Sequence, residues 1–172
     1  MRRWRMPLIA VTMVLAAVRI AVLAVGASGK NSLESVDTLY ETYREDFPEV
    51  RDVSVVKLLQ QNLQNVVLVD VRDSVEREIS SIPGSISQEE FERRPQRSDG
   101  ELIVPFCTIG YRSGLYTQKL MQQGRNARNL RGGILAWCHA EQPVVANDKP
   151  THRVHVYGRK WNLLPSSYEG VW

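Results

Sequence analysis

An apolar run that ends at a cysteine constrains the fold of this 172-residue chain more than any other feature. Leu102–Val104 is short and wholly apolar, which predicts a buried strand, and Cys107 follows in the loop beyond it. From Ser113 onward, apolar residues recur at helical spacing up to Gly124. Cys107 therefore lies between a strand end and a helix N-terminus. Backbone N–H groups and the helix dipole favour negative charge there, so we expect Cys107 to act as a thiolate.

A second apolar run predicts that this strand belongs to a parallel sheet. Val66–Val69 lacks the alternation of a half-exposed strand and ends in Asp70 and Arg72. Polar residues at the carboxyl end of such a strand lie at the ligand-binding rim of open α/β sheets. Helical segments alternate with strands over 55–140, which predicts one α/β domain. The segments are 33–47 (capped by Ser32), 55–61, 74–80, from Ser87 to before Pro95, 113–124 and from Gly133 to Trp137, with a last short strand at 126–130.

The basic charge of the chain is concentrated at its N-terminus. Five of the 22 basic residues precede the first acidic residue, Glu34, and the remaining 17 are outnumbered by 19 acidic residues. The net charge of +3 therefore comes from the N-terminal segment. Because the rest of the chain is not basic, we expect no nucleic-acid partner.

The cysteine and histidine content argues against a structural metal. Cys107 and Cys138 are the two cysteines, too few for a disulfide framework. The three histidines, His139, His152 and His155, show no metal-ligand spacing. We therefore expect neither a metal nor a cofactor, while a redox pair of the two cysteines stays open.

Residues 1–31 read as a targeting segment outside the folded domain. Arg2, Arg3 and Arg5 precede an apolar stretch that is interrupted by Arg19. A basic start before an apolar run is typical of a signal peptide or signal anchor, and an acid-free composition with arginines also fits a transit peptide. We expect a membrane-associated or exported protein with membrane contact through this segment. The alternative is an organelle, a plastid or a mitochondrion.

The folded domain is expected to span 32–148 and to be followed by a C-terminal tail over 149–172. Val154 and Val156 alternate with polar residues, which predicts a short edge strand. The rest of the tail is too apolar for a disordered end, so we expect it to pack on the domain. Its large apolar residues are Trp161, Leu163, Leu164, Tyr168 and Trp172.

Four motifs in a fixed order make the chain resemble the rhodanese family of sulfurtransferase domains. The resemblance spans residues 55–145 and rests on the four motifs together. They are Leu68-Val69-Asp70-Val71-Arg72, Ile82-Pro83-Gly84-Ser85-Ile86, Cys107-Thr108-Ile109-Gly110-Tyr111-Arg112-Ser113, and Asn129-Leu130-Arg131-Gly132-Gly133-Ile134-Leu135-Ala136-Trp137 with Gln142-Pro143-Val144.

The resemblance implies both a fold and an activity. The fold is an α/β domain with a five-stranded parallel sheet flanked by helices on both faces. The activity is sulfur transfer, in which the catalytic Cys107 accepts a sulfane sulfur as a persulfide and passes it to a nucleophile. The implied partners are a small sulfur donor and a thiol or cyanide-like acceptor, and no protein partner is indicated.

The active-site loop is expected to comprise Thr108, Ile109, Gly110, Tyr111 and Arg112. A persulfide is an anion that needs N–H donors from these residues, and Gly110 permits close approach of the backbone. From Cys107 to Arg112 the spacing is C-x₄-R. Related phosphatases and arsenate reductases of the same fold carry a loop one residue longer, which fits a tetrahedral oxyanion, so the shorter loop favours sulfur chemistry.

Residues around the loop are assigned binding and supporting roles. Arg112 and Arg72 are candidates to bind an anionic donor such as thiosulfate, with a surface or framework ion pair as the alternative for Arg72. Asp70 and Ser113 are predicted to support the loop. Cys138 is expected to be a helix cysteine, and a resolving role opposite Cys107 stays open.

Three positions depart from the family pattern. Thr108 and Ile109 stand where efficient users of thiosulfate often carry basic residues, and Ser81 stands where the family often has a histidine. The resemblance therefore leaves the physiological donor open, although it still implies a persulfide on Cys107.

A non-enzymatic function fits the same resemblance. In that alternative the chain is a rhodanese-like binding or scaffold module, held at a membrane and presenting a partner surface through its tail. The intact loop from Cys107 to Arg112 favours the enzyme.

Overall fold

The computed structural model describes residues 33–61, 63–95 and 100–172. The predicted targeting segment and the predicted cap at Ser32 lie outside these residues. Among the residues that the structure does describe, no helix is both long enough and apolar enough to cross a membrane.

Helices and short strands alternate along the described ranges. The helices are α1 (33–44), α2 (Val55–Leu59), α3 (Ser74–Ile79), α4 (Gln88–Arg93), α5 (Tyr111–Gln122) and α6 (Gly133–His139). The strands are β1 (Asp52–Val53), β2 (Val66–Asp70), β3 (Ile86–Ser87), β4 (Leu102–Phe106), β5 (Asn129–Leu130), β6 (Val144–Ala146), β7 (Lys149–Thr151), β8 (Arg153–His155) and β9 (Glu169–Val171). Short 3₁₀ turns lie at Leu63–Asn65 and Arg159–Trp161.

The strands of the central layer run parallel to one another. A three-stranded sheet has the order β3-β2-β4, and a two-stranded sheet pairs β1 with β5. A parallel bridge between Ile103 of β4 and Ala127 joins the two sheets. The prediction of an α/β fold with parallel strands is confirmed, and the single five-stranded sheet stays a prediction.

Helices pack on both faces of this layer. Leu102, Val104 and Phe106 of β4 belong to one hydrophobic cluster, together with buried residues of α1, α2 and α6. Ile103 belongs to a second cluster, together with buried residues of α4 and α5. Because successive side chains of a strand point to opposite faces, the two clusters lie on opposite sides of the sheet.

The first helix is shorter than the sequence predicts. It ends at residue 44, whereas its apolar spacing continues to Phe47. Pro48 disfavours helical backbone in the residue before it, and the chain turns instead through a hydrogen bond from the Phe47 N–H to the Arg44 carbonyl at 3.1 Å. The side chain of Phe47 is nevertheless fully buried.

An antiparallel hairpin of β6 and β7 follows α6 and was not predicted. Asn147 and Asp148 form its two-residue turn with φ angles of 49° and 61°. Asn and Asp tolerate this left-handed backbone, which such turns require, so the dipeptide was the available signal. The expected boundary between domain and tail, after residue 148, falls at the end of this turn and stays a prediction.

The C-terminal segment contributes to the main hydrophobic cluster. The predicted strand around Val154 is present as β8, which pairs in parallel with β9. Val154 and Val156 are fully buried. Four further side chains of the segment are partly buried against the same cluster: Trp161, Leu163, Leu164 and Tyr168.

We predict that Gly114→Ala destabilises the protein, because α5 contacts Phe47, in the turn after α1, too closely for a methyl group. A Cβ on Gly114 would lie 2.3 Å from Cζ of Phe47. Alanine in place of a helical glycine ordinarily stabilises, but overpacking costs about 1–3 kcal/mol, and we expect the free energy of unfolding in urea to fall by that amount.

The double variant Phe47→Leu/Gly114→Ala is the control. The smaller side chain relieves the clash, so the two changes should cost less together than the sum of each alone. A Gly114→Ala variant at least as stable as the wild type would contradict this packing.

Candidate functional site

Cys107 lies directly after β4, at the start of the loop that leads into α5. Its Sγ accepts a hydrogen bond from the backbone N–H of Gly110 at 3.1 Å, and the hydroxyl of Ser113 donates to it at 3.6 Å. The residue is 2% exposed. Because α5 begins at Tyr111, the positive end of the helix dipole also lies beside the sulfur. These features favour negative charge on Sγ.

The N-terminus of α6 holds the loop backbone in place. The N–H of Ile134 donates to the carbonyl of Cys107 at 2.9 Å, and the N–H of Leu135 donates to the carbonyl of Thr108 at 3.2 Å. Gly133 permits this approach, since a Cβ there would lie 2.3 Å from the Cys107 oxygen. The glycines of the last sequence motif therefore serve the loop through close backbone packing.

Gly110 caps α5 in a backbone conformation that other residues rarely adopt. Its φ is 109°, and a Cβ would lie 2.6 Å from Cε2 of Tyr40. The Gly110 carbonyl accepts a hydrogen bond from the Asn129 side-chain amide at 2.9 Å, and the same amide donates to the Tyr40 hydroxyl. Tyr40 in turn donates to Asp52 at 2.6 Å. Burial, followed by the hydrogen bond to Asp52, raises the pKa of Tyr40, so its hydroxyl keeps the proton that it donates to Asp52.

Arg112, the second residue of α5, is bound in a two-pronged ion pair with Glu76 of α3. Its Nη1 and Nη2 atoms lie 2.6 and 2.8 Å from the two oxygens of the Glu76 carboxylate. Asp73 lies 3.6 Å from Nη1. Burial opposes the charge on Arg112, but the hydrogen bonds to Glu76 outweigh it and raise the pKa of the guanidinium. Arg112 is therefore a fixed cation that already has an anionic partner.

Glu76 is the main partner of Arg112 and was not predicted from the sequence. The residue is 2% exposed, and its carboxylate also accepts the backbone N–H of Asp73 at 3.0 Å. Burial opposes ionisation, yet the hydrogen bonds from Arg112 and from the Asp73 backbone prevail and lower the pKa of Glu76. The spacing Asp73-x-x-Glu76 at the start of a helix was the available signal, since it fits a capping box.

Asp70 and Arg72 form a buried framework pair at the end of β2. The Nε and Nη2 atoms of Arg72 lie 2.9 and 2.7 Å from the two oxygens of Asp70, and Nη2 also donates to the carbonyl of Ser80 at 2.6 Å. Asp70 additionally accepts the Arg72 backbone N–H and the Ser81 hydroxyl. Arg72 is 1% exposed and does not line the pocket described below. This arrangement matches the framework alternative.

A pocket of about 330 Å³ opens above Cys107, and half of the described residues that line it are aromatic. Five of the six predicted residues from Cys107 to Arg112 line the pocket. The sixth, Gly110, donates its backbone N–H to Sγ of Cys107. The other walls come from α1 and from the C-terminal segment. The described residues that line the pocket are Tyr43, Cys107, Thr108, Ile109, Tyr111, Arg112, Tyr157 and Trp161.

The aromatic residues of the pocket contact one another. Tyr43 stacks on Trp161 at a centroid distance of 5.6 Å and meets Tyr111 at 5.1 Å. Tyr157 meets Trp161 edge to face at 6.2 Å, and the Arg112 guanidinium lies 5.7 Å from the Tyr157 ring centroid. Sequence analysis assigned none of these tyrosines except Tyr111 to the site, because contacts between segments distant in the chain have no local signal.

Cys138 has no visible part in this site. It lies in α6 with 0% exposure and carries a free thiol. Burial raises the pKa of the Cys138 thiol to about 12, although the charge of Arg72 opposes the shift. Such a thiol is protonated at neutral pH and unreactive.

Within the described ranges, no group of His, Cys, Asp and Glu side chains is arranged to hold a metal ion.

This chain is similar to known proteins in sequence and in fold. Residues 54–140 match the model of the rhodanese-like domain family. A sulfurtransferase from Allochromatium vinosum is 36% identical over 89 residues, which are 48% of this chain and 81% of that protein.

Two solved structures are also similar. A thiosulfate sulfurtransferase from Pseudomonas aeruginosa covers 66% of this chain and 23% of its own, with 21% identity and a TM-score of 0.50, a likeness that concerns the fold alone. A rhodanese-related protein from Thermoplasma volcanium covers 56% of this chain and 99% of its own, with 27% identity and a TM-score of 0.49. The family match spans half of the chain and includes the whole cysteine loop, and the chain belongs to the rhodanese-like domain family.

Proposed function

We propose that this protein is a sulfurtransferase that carries a sulfane sulfur as a persulfide on Cys107. One observation carries the proposal: Sγ of Cys107 accepts hydrogen bonds from the Gly110 N–H and the Ser113 hydroxyl at the N-terminus of α5, at the base of an open pocket. The family membership and the sulfurtransferase among its relatives support the same activity.

In the first step the Cys107 thiolate attacks the outer sulfur of the donor. A bond forms between Sγ and that sulfur, the sulfur–sulfur bond of the donor breaks, and the leaving group departs with its electron pair. With thiosulfate the leaving group is sulfite. The product carries one negative charge on the transferred sulfur, which the loop N–H groups and the helix dipole stabilise.

In the second step an acceptor thiolate or cyanide attacks the transferred sulfur. The new bond forms to the acceptor, and the electron pair of the bond to Sγ returns to Cys107 as thiolate. The donors that contact Sγ in the free enzyme stabilise this leaving thiolate as well. Since the same loop serves both steps, the enzyme returns to its starting state without a cofactor.

Arg112 acts at the rim of the pocket. Its side chain is 31% exposed, and both of its terminal nitrogens contact Glu76. The ion pair with Glu76 holds the Arg112 guanidinium between the loop and Tyr157. From this position the N–H edge of the guanidinium orients the donor. The role of Arg72 in this scheme is to brace the end of β2 through Asp70.

We predict that Cys107→Ser abolishes persulfide formation. Intact-mass measurement after incubation with thiosulfate or glutathione persulfide should show one added sulfur atom on the wild type and none on the variant, because serine cannot form the sulfur–sulfur bond. Cys138→Ala is the matched control and should still gain the sulfur. A wild-type protein that is folded but gains no sulfur from either donor would favour a binding module instead.

We predict a pH-dependent stability contribution from the ion pair of Glu76 and Arg112. The folded-state pKa of Glu76 lies below its ordinary value of 4.5, so its stabilisation is fully present above that pH and is lost as the pH falls through the folded value. Glu76→Gln should therefore lower the free energy of unfolding by about 2 kcal/mol at pH 7, the scale of charged hydrogen bonds, and by less below pH 4.5.

Urea unfolding of both proteins between pH 3.5 and pH 7 measures this gap. Glu78→Gln removes an exposed carboxylate from the same helix and controls for the loss of negative charge. A gap between wild type and Glu76→Gln that does not change with pH would contradict the ionised pair.

A further inference from the structure

The walls of the pocket above Cys107 suit an organic molecule better than a small inorganic anion. Four aromatic side chains line it, from α1, α5 and the C-terminal segment: Tyr43, Tyr111, Tyr157 and Trp161. Its volume of about 330 Å³ falls at the lower end of the range for small-molecule sites, roughly 300–1,000 Å³. A donor as small as thiosulfate would leave most of these walls without a partner.

The charges at the rim disfavour a doubly charged donor. Arg112 is the one cation among the described residues that line the pocket. It lies within 4 Å of two carboxylates, those of Glu76 and Asp73. Because these carboxylates already offset the charge of Arg112, the rim keeps little free positive charge with which to bind a dianion.

Tyr157 is held over the pocket in a strained backbone conformation. Its φ is 67°, in the left-handed region that bulky residues rarely adopt, and the residue is 64% exposed. Its backbone N–H donates to Nδ1 of His155 at 3.2 Å, and the next N–H, of Gly158, donates to the Val156 carbonyl at 2.8 Å. An exposed aromatic ring fixed in a rare conformation is typical of ligand contacts, because strain of this kind concentrates at functional sites.

We propose that this site selects a sulfur donor that carries a planar, apolar organic group next to its reactive sulfur–sulfur bond, and that Tyr157 is the specificity-determining contact for that group. The inference rests on the proposed function, since the group is recognised while Cys107 receives the sulfur. The planar group stacks on Tyr157 beside Trp161, and the sulfur points down to Sγ. Aromatic stacking supplies the selectivity, and no further cation is needed.

The test uses two donors that differ in this group alone, benzenethiosulfonate and methanethiosulfonate. Both are monoanions that react in the same way. The Cys107 thiolate bonds to the terminal sulfur, the bond between that sulfur and the sulfonyl sulfur breaks, and the electron pair leaves with benzenesulfinate or methanesulfinate. Cyanide then takes the sulfur as thiocyanate and restores the thiolate. Charge and atoms balance in both steps, and neither needs an oxidant or a reductant.

The measured quantity is the ratio of kcat/KM for the benzene donor to that for the methane donor, with cyanide as the common acceptor. Dividing it by the ratio of the rates with free cysteine removes the intrinsic reactivity of the donors. We expect a normalised ratio of about tenfold for the full chain, the scale of a favourable aromatic contact. Tyr157→Leu should reduce the ratio to near one, and Tyr157→Phe should preserve it because the ring is kept.

Trp172→Leu is the control, since Trp172 is an exposed aromatic residue of the same segment that does not line the pocket. Its ratio should equal that of the wild type. A normalised wild-type ratio near one, or a ratio that survives in Tyr157→Leu, would overturn the proposed selectivity while leaving sulfur transfer intact. If neither donor adds sulfur to Cys107, the proposed function itself fails, and the two failures are distinguished by intact mass.

Discussion

The backbone hydrogen bonds between the cysteine loop and the N-terminus of α6 are the constraint on which the site depends. The N–H groups of Ile134 and Leu135 donate hydrogen bonds to the carbonyls of Cys107 and Thr108, respectively. With these two carbonyls tied to α6, the loop presents the N–H of Gly110 to the sulfur. A helix N-terminus thus supports the loop from one side, while α5 places its own N-terminus beside Sγ on the other. The N-termini of α5 and α6 both act on Cys107, although separate sequence motifs encode them.

The second level of organisation is the pairing of charges around the loop. Asp70 and Arg72 neutralise each other inside the fold, and Glu76 engages Arg112 at the rim. The pocket therefore has little free positive charge, although Arg72 and Arg112 both lie in the sequence motifs around it. The groups that face Sγ of Cys107 are the Gly110 N–H, the Ser113 hydroxyl and the N-terminus of α5, which are fixed in place and need no counter-ion from solution. Such a site suits a singly charged sulfur, whereas a multiply charged oxyanion needs more cationic donors.

Much of the fold and the centre of the site are predictable from the sequence, because the signals are local. The apolar runs at 66–69 and 102–104, the loop from Cys107 to Arg112 and the helix after it are each encoded in a few consecutive residues. The remaining features are not local. Glu76 meets Arg112 across 36 positions of the chain, and Tyr43 and Trp161 meet across an even longer separation. A periodicity or turn pattern within one segment does not indicate which distant segment that segment contacts.

Arg72 illustrates how tertiary context decides between two chemically sound readings. Its position at the end of β2 fits an anion-binding cation, and the same position fits a buried pair with Asp70. The burial of Arg72 and its three hydrogen bonds to Asp70 and Ser80 favour the second, and a role of Arg72 in donor binding stays a prediction. A buried charge must be paired, so the burial of Arg72 makes the pair with Asp70 a consequence of desolvation.

The most direct measurement of the central claim is a crystal structure of the full chain after incubation with a sulfur donor. A persulfide enzyme should show one added sulfur atom bonded to Sγ of Cys107, within hydrogen-bonding distance of the loop N–H groups. The ion pair of Arg112 and Glu76 should be unchanged. Sulfur bonded to Cys138, or an intact donor bound by Arg112 with Cys107 unmodified, would contradict a persulfide carried by Cys107.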